Sequence, residues 1–226
     1  MDNMKIIARI RTDFPEKFGI PRQSGLIDLT SKIVFEPEFR NDEALRGIEE
    51  FTHLWLIWKF SGNVKENSEN KFSPTVRPPR LGGNKRMGVF ATRSPFRPNP
   101  IGLSSVRLLG KEKTKDGTVL IISGADMMDN TPIYDIKPYL AFTDSHPEAK
   151  GSFADEKFSY SLDLNFPKNL LNKIPEDKRE GLIELLKEDP RPSYIEDGER
   201  IYGFSFMNFE IKFKVSNGVL TVTEIE

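Results

Sequence analysis

Leu103-Ser104-Ser105-Val106-Arg107-Leu108-Leu109, then Lys115-Asp116-Gly117, then Val119-Leu120-Ile121-Ile122-Ser123 gives the clearest sign of β structure in the chain. Two apolar, β-branched runs flank a turn signal that contains glycine, which is the pattern of paired strands. Residues 6–10, 26–35, 52–60 and 89–92 read as further short strands. Asn41 is a good N-cap, Asp42 and Glu43 follow in the first turn, and Ala44, Leu45, Ile48 and Phe51 recur at helical spacing, so residues 42–50 read as one short helix. Strands do not alternate with long helices, so a parallel doubly wound sheet fits poorly. Many short strands separated by Gly and Pro fit a barrel or a sandwich.

Beyond residue 144 the character changes. Residues 144–200 hold 14 acids and 9 bases. Pro175 opens a helix with Leu182, Ile183, Leu185 and Leu186 as its apolar stripe, and Asp189-Pro190 stops it. Residues 202–215 carry Phe204, Phe206, Phe209, Ile211, Phe213 and Val215 and read as one strand. It pairs with residues 219–225 across Asn217-Gly218. A domain boundary is placed near residue 150, giving domains 1–148 and 149–226.

The composition removes whole classes of chemistry. The chain has 226 residues, 33 Lys and Arg against 34 Asp and Glu, no Cys and two His. Disulfides, thiolate metal sites, a cysteine nucleophile and a multi-histidine metal centre are excluded, and no metal is expected. The longest wholly apolar run, residues 54–58, is far below the ~20 residues a membrane helix needs, and no secretory signal is visible, so a soluble cytoplasmic protein is expected. His53 reads as a core histidine. Trp55 and Trp58 are three apart on a strand and so face opposite sides.

Charge is unevenly spread. Residues 70–111 contain nine Lys and Arg and no acid, in a chain of net charge −1. Six prolines, from Pro74 to Pro100, forbid a long basic helix, so the cations project from loops. A solvated face is one reading and a phosphate-tracking surface is the other. Residues 81–88 are glycine-rich but lack the G-x-x-x-x-G-K-[ST] and G-x-G-x-x-G patterns, so they read as turns and not as a nucleotide loop.

Several blocks have a family wording: Pro21-Arg22-Gln23-Ser24-Gly25-Leu26, Phe51-Thr52-His53-Leu54-Trp55-Leu56, residues 75–84 and 86–102, Asp135-Ile136-Lys137-Pro138-Tyr139, and residues 189–194. In this order they resemble the TrmO (TsaA-like) family of S-adenosylmethionine-dependent tRNA methyltransferases. The resemblance implies methylation of N6 of a threonylcarbamoylated adenosine directly 3′ of the anticodon. It also implies a mainly β fold, with a β-barrel catalytic domain in place of a Rossmann sheet, a smaller α+β C-terminal domain, and homodimers.

Carried over residue by residue, the resemblance makes Gln23, Ser24, Gly25, Ser61, Gly62, Arg93, Leu103, Ser123, Gly124, Ala125 and Asp126 the candidates for binding S-adenosylmethionine. Ser24 stands where relatives commonly have Pro, and Asn130 where they have Gly; Asn tolerates the left-handed conformation. Arg93 holds either the cofactor carboxylate or an RNA phosphate, and Leu103 is either an adenine contact or ordinary core. The acceptor nitrogen is conjugated, so its proton must leave as it attacks. Asp126, Asp135 and Tyr139 are the candidate bases, with a strand-end turn for Asp126 and a pairing of Asp135 with Lys137 or Arg97 as the plain alternatives. For the tRNA anticodon loop the candidates are Arg77, Arg80, Arg86, Arg97, Lys137, Arg191 and Tyr194, with Phe96 and Tyr139 available to stack on a base. A non-enzymatic RNA-binding barrel, or a methyltransferase of the same fold with another substrate, are the rival readings.

Overall fold

A computed structural model of the chain describes residues 4–61, 72–78, 81, 85–157, 160–191 and 197–226. The strands are β1 (Ala8–Arg11), β2 (Thr30–Phe35), β3 (His53–Lys59), β4 (Thr75–Val76), β5 (Met87–Gly88), β6 (Ile101–Thr114), β7 (Gly117–Ser123) and β8 (Pro132–Pro138). After helix α1 (Ala141–Asp144) come β9 (Asp163–Asn165), α2 (Lys168–Leu171), α3 (Glu176–Lys187), β10 (Tyr202–Phe206), β11 (Phe209–Ser216) and β12 (Val219–Ile225). The chain divides into two compact units, one of Met1–Gly62 with Ile101–Ser145, the other of Asn63–Pro100 with His146–Glu226. The chain passes between the units three times, at 62/63, 100/101 and 145/146, so the basic segment before Ile101 groups with the C-terminal residues.

In the first unit six strands pair in the cyclic order β1-β2-β7-β6-β3-β8, and β8 returns to β1, so the sheet closes on itself. Every pairing in this ring is antiparallel. Closure leaves no sheet edge to cover, and alternation sends every second side chain inward. In β3 the inward residues are Leu54, Leu56 and Trp58, which join Ile10, Ile33, Val106, Leu120, Ile122 and Ile133 in the core. The hairpin read first in the sequence is present: Thr114 pairs with Gly117, whose φ of +87° only glycine adopts without strain.

The second unit contains a four-stranded sheet of order β10-β11-β12-β9, in which β9 runs parallel to β12 and the other pairs are antiparallel. Phe204, Phe206 and Phe213 are fully buried, as are Leu182 and Leu186 of α3. The Asn217-Gly218 turn has both residues at positive φ, 50° and 77°, as a two-residue hairpin of right-handed twist requires. Also in this unit, β4 and β5 form a two-stranded ladder.

Four expectations need correction. Residues 42–50 are two 3-10 turns, Asp42–Leu45 and Ile48–Glu50, because Gly47 between them is left-handed at φ +81°. Asn41 does cap, accepting from the Glu43 N–H at 3.0 Å. Residues 89–92 are no strand; Val89–Ala91 is a 3-10 turn closed by the Thr92 hydroxyl and amide on Val89 O. Residues 202–215 are two strands, broken at Met207, whose φ is +56°. His53 is exposed, pointing away from the core on the outward face of β3.

Candidate active site

Two loops expected at the cofactor meet in the first unit. Gly25 and Gly124 both have positive φ, 77° and 84°, and the Gly25 N–H donates to Gly124 O at 2.9 Å. A Cβ on Gly124 would come within 3.1 Å of the Gly25 backbone, so two main chains approach here as side chains would not allow. Beside this contact the buried Ser123 hydroxyl donates to Asp28 Oδ1. Gln23, Ser24 and Gly25 are thus brought to Ser123, Gly124, Ala125 and Asp126, the two groups the family resemblance singled out.

Asp126 follows that contact and is held from inside the closed sheet. The Ser104 hydroxyl, 1% exposed, donates to Asp126 Oδ1 at 2.6 Å, and the Trp58 indole N–H donates to Ser104 Oγ at 2.9 Å. Trp58 lies across Gly102, where a Cβ would stand 2.2 Å from the indole carbon Cε2. The ring also packs on Phe60, centroids 4.3 Å apart. Gly102, Ser104 and Trp58 escaped the sequence reading as site residues. The available signal was a glycine inside a strand pattern, which marks close approach of a neighbour.

Ser61, two residues past the end of β3, is 3.4 Å by its hydroxyl from the buried Thr131 hydroxyl. Leu103 faces outward and is 57% exposed, which removes its ordinary-core alternative. Its row across the sheet is Leu103, Ile57 and Asp135, by the pairings of β6 with β3 and β3 with β8. Asp135 is engaged: its Oδ2 is 2.8 Å from Lys137 Nζ, and its Oδ1 accepts from the Ile136 N–H at 2.9 Å. The sequence alternative of a Lys137 pairing is therefore the observed state. Tyr139 packs on Trp55 at 5.5 Å and His53 at 6.1 Å, and Trp55 donates its indole N–H to Asp144 at 2.9 Å. The three candidate bases thus occupy three different surroundings.

The remaining candidates among the described residues belong to the second unit. Arg77, Arg86 and Arg93 are exposed, and Arg86 Nη1 donates to Thr75 Oγ1 at 3.3 Å. Arg97 is spent largely on its own loop, donating from Nη1 to Val89 O at 3.2 Å and Thr92 O at 2.6 Å. Arg191 is forked onto the buried Asp189, with Nε to Oδ1 at 2.8 Å and Nη2 to Oδ2 at 2.9 Å. Gly62, Arg80 and Tyr194 lie outside the described residues. Among the described residues no group of three His, Cys, Asp or Glu side chains could hold a metal, and no helix is long and apolar enough to cross a membrane.

These surroundings suit S-adenosylmethionine. A Cβ placed on Gly25 would meet nothing within 4 Å, so bare backbone borders open space there. Leu103 supplies an exposed apolar surface, and Asp126 a positioned carboxylate for a cation or a departing proton.

Comparison with known proteins gives a consistent result. Residues 9–145 match the tRNA-methyltransferase O N-terminal domain, and residues 160–226 match the TrmO C-terminal domain. The Escherichia coli tRNA (adenine(37)-N6)-methyltransferase is 38% identical over 229 residues, covering 97% of this chain and 96% of that one. The mouse protein of the same name is 44% identical over 142 residues, 62% of this chain and 31% of its own. A crystal structure of TrmO from Pseudomonas aeruginosa superimposes with a TM-score of 0.77 at 27% identity, covering 100% of this chain and 98% of that chain. With both family domains matched in order and a relative 38% identical over nearly the full length, the chain belongs to the TrmO family of S-adenosylmethionine-dependent tRNA methyltransferases.

Proposed function

We propose that this chain methylates N6 of adenosine 37 in tRNA, the base directly 3′ of the anticodon, after that base has been threonylcarbamoylated. The observation that carries the reading is the backbone contact of Gly25 with Gly124 beside the carboxylate of Asp126. The full-length relative named for adenine 37 supports the position of the modified base.

When bound, S-adenosylmethionine supplies an electrophilic methyl group on a cationic sulfur. Gln23, Ser24, Gly25, Ser123, Gly124 and Ala125 hold it by backbone and polar contacts, with Ser61 and Gly62, and Arg93 takes either its carboxylate or an RNA phosphate. Leu103 covers the apolar adenine. Asp126 accepts the N6 proton of the RNA base, because its carboxylate is fixed by Ser104 whereas that of Asp135 is tied to Lys137. Positioning of the two reactants carries most of the acceleration in such an in-line displacement. Arg77, Arg80, Arg86, Arg97, Lys137, Arg191 and Tyr194 meet the anticodon stem and loop. In this reading residues 1–148 form the β-barrel methyltransferase domain, residues 149–226 the small C-terminal domain, and the enzyme works as a cytoplasmic homodimer.

Methyl transfer from labelled S-adenosylmethionine onto tRNA, prepared with and without the threonylcarbamoyl group, tests the proposal. Label on the modified tRNA alone is expected. Label on both overturns the threonylcarbamoyl requirement, and cofactor binding without transfer to either overturns the substrate. Absence of cofactor binding favours an RNA-binding barrel without catalysis.

A further inference from the structure

The ladder of β4 and β5 continues into the turn at Val89 through a hydrogen bond from Val89 N–H to Pro74 O at 2.9 Å. Val89 is 1% exposed and anchors the turn. Its carbonyl oxygen accepts from the Thr92 amide, the Thr92 hydroxyl and Arg97 Nη1, so the turn is fixed before any partner arrives. Phe90, the next residue, is driven outward and is 71% exposed. Phe72, 54% exposed, lies nearly parallel to it, at 26° and 6.0 Å between centroids. The Arg97 guanidinium lies 5.7 Å from the Phe90 centroid. A Cβ built on Gly88, two residues from Phe90, meets nothing within 4 Å, so the space there is open.

We infer that Phe90 and Phe72 form a platform on which an unpaired base of the RNA stacks. The inference rests on the proposed action on tRNA and adds residues to it that carry no charge. Pre-ordered aromatic rings lose little freedom on binding, and every base presents a π-face to them. The surroundings select the partner: described residues 72–100 carry Arg77, Lys85, Arg86, Arg93 and Arg97 and no acid, which suits a polyanion. A second copy of the chain is the poorer occupant. A two-fold interface sets a patch against itself, which would bring like charges of this segment together.

The test uses an anticodon stem-loop RNA with 2-aminopurine in its loop, whose fluorescence falls on stacking. The full chain and the variants Phe90→Leu, Phe72→Leu and Phe90→Trp are compared across a salt series, with cofactor binding as the control for folding. Wild type and F90W are expected to quench the probe. F90L is expected to bind on the order of tenfold more weakly, without quenching, and with an unchanged salt slope. F72L is expected to weaken both binding and quenching to a smaller degree. Wild-type affinity and quenching in F90L overturn the platform and leave the enzyme reading intact. A dimer that falls apart in F90L, with RNA affinity following dissociation alone, assigns the face to a second copy and also overturns it. A wild-type chain that binds cofactor but no RNA overturns the tRNA reading and the platform with it.

Discussion

An indole N–H can only donate, so the hydrogen-bond chain from Trp58 through Ser104 to Asp126 has one possible direction. Ser104 must accept from Trp58 and therefore gives its single proton to Asp126 Oδ1, fixing that oxygen as an acceptor. Ser104→Ala removes the bond and leaves the indole N–H unsatisfied. A positioned base contributes about 10²–10⁴-fold to turnover, so loosening it is expected to lower turnover on the order of tenfold. The KM for S-adenosylmethionine is expected to stay near its starting value. A carboxylate that loses a donated hydrogen bond is more easily protonated, so the acid limb of the pH–rate profile moves to higher pH. A cavity alone would lower turnover equally at every pH, and Ser104→Thr, which keeps the hydroxyl, restores the limb. A profile of unchanged shape in S104A would show that Ser104 does not position the base. Asp126 was singled out through its family block, but Ser104, which donates to it, was not. A serine inside a strand looks like many others until the fold places an indole and a carboxylate on either side of it.

The end of α3 turns on a similar local arrangement. Asp189 takes φ +52°, a conformation Asp tolerates better than most residues, and this stops the helix while turning the carboxylate back onto Arg191. Burial pushes the Asp189 carboxyl up, but the hydrogen bonds and charge of Arg191 and the Tyr160 hydroxyl outweigh it and hold it below its ordinary value of 3.8. The two side chains are 8% and 13% exposed, so the pair is close to fully buried. A lowered folded value stabilises the fold fully above 3.8, and that stability is lost as pH falls through the lowered value. Asp189→Asn keeps the backbone conformation and one acceptor while abolishing the charge. It is expected to lower the melting temperature at pH 7, the loss approaching the roughly 3–5 kcal/mol of a broken buried pair. Below pH 4 its stability should fall less steeply than that of wild type, as a series of thermal melts would detect; parallel curves would mean that the ion pair does not titrate with folding. The stop at Asp189-Pro190 was readable in the sequence, and the carboxylate's second partner, Tyr160, was not, since it comes from 29 residues away. The break between β10 and β11 had a readable sign that alternation alone hid: Phe204 and Phe206 are in phase, whereas Phe209, Ile211 and Phe213 take the opposite parity. A one-residue change of phase moves side chains to the other face, so it marks a turn.

Over the whole molecule the sequence reveals a mainly β chain through its dense short strands, because period-two alternation is a local property. Ring closure through β1 and β8, and the grouping of the segment before Ile101 with the C-terminal residues, depend on contacts between distant parts of the chain and leave no local pattern. The charge distribution is legible at this scale without any structure. Residues 70–111 have nine cations and no acid, while the chain as a whole has a net charge of −1. The structure then separates those cations by what they can do. Arg77 and Arg86 are exposed on or beside the β4–β5 ladder, whereas Arg97 is tied to the carbonyl groups of Val89 and Thr92. Each cation that contacts a phosphate contributes about 0.7–0.9 to the slope of log affinity against log salt. The double variant Arg77→Ala, Arg86→Ala should therefore bind tRNA more weakly and flatten that slope by about 1.4–1.8. Arg97→Ala should weaken binding with a smaller change of slope, because its loss loosens the turn that presents Phe90 more than it removes a phosphate contact. Titrations of wild type and both variants over a range of salt concentrations decide the matter. If the double variant keeps the wild-type slope, the basic segment is a solvated face and the tRNA backbone is held elsewhere.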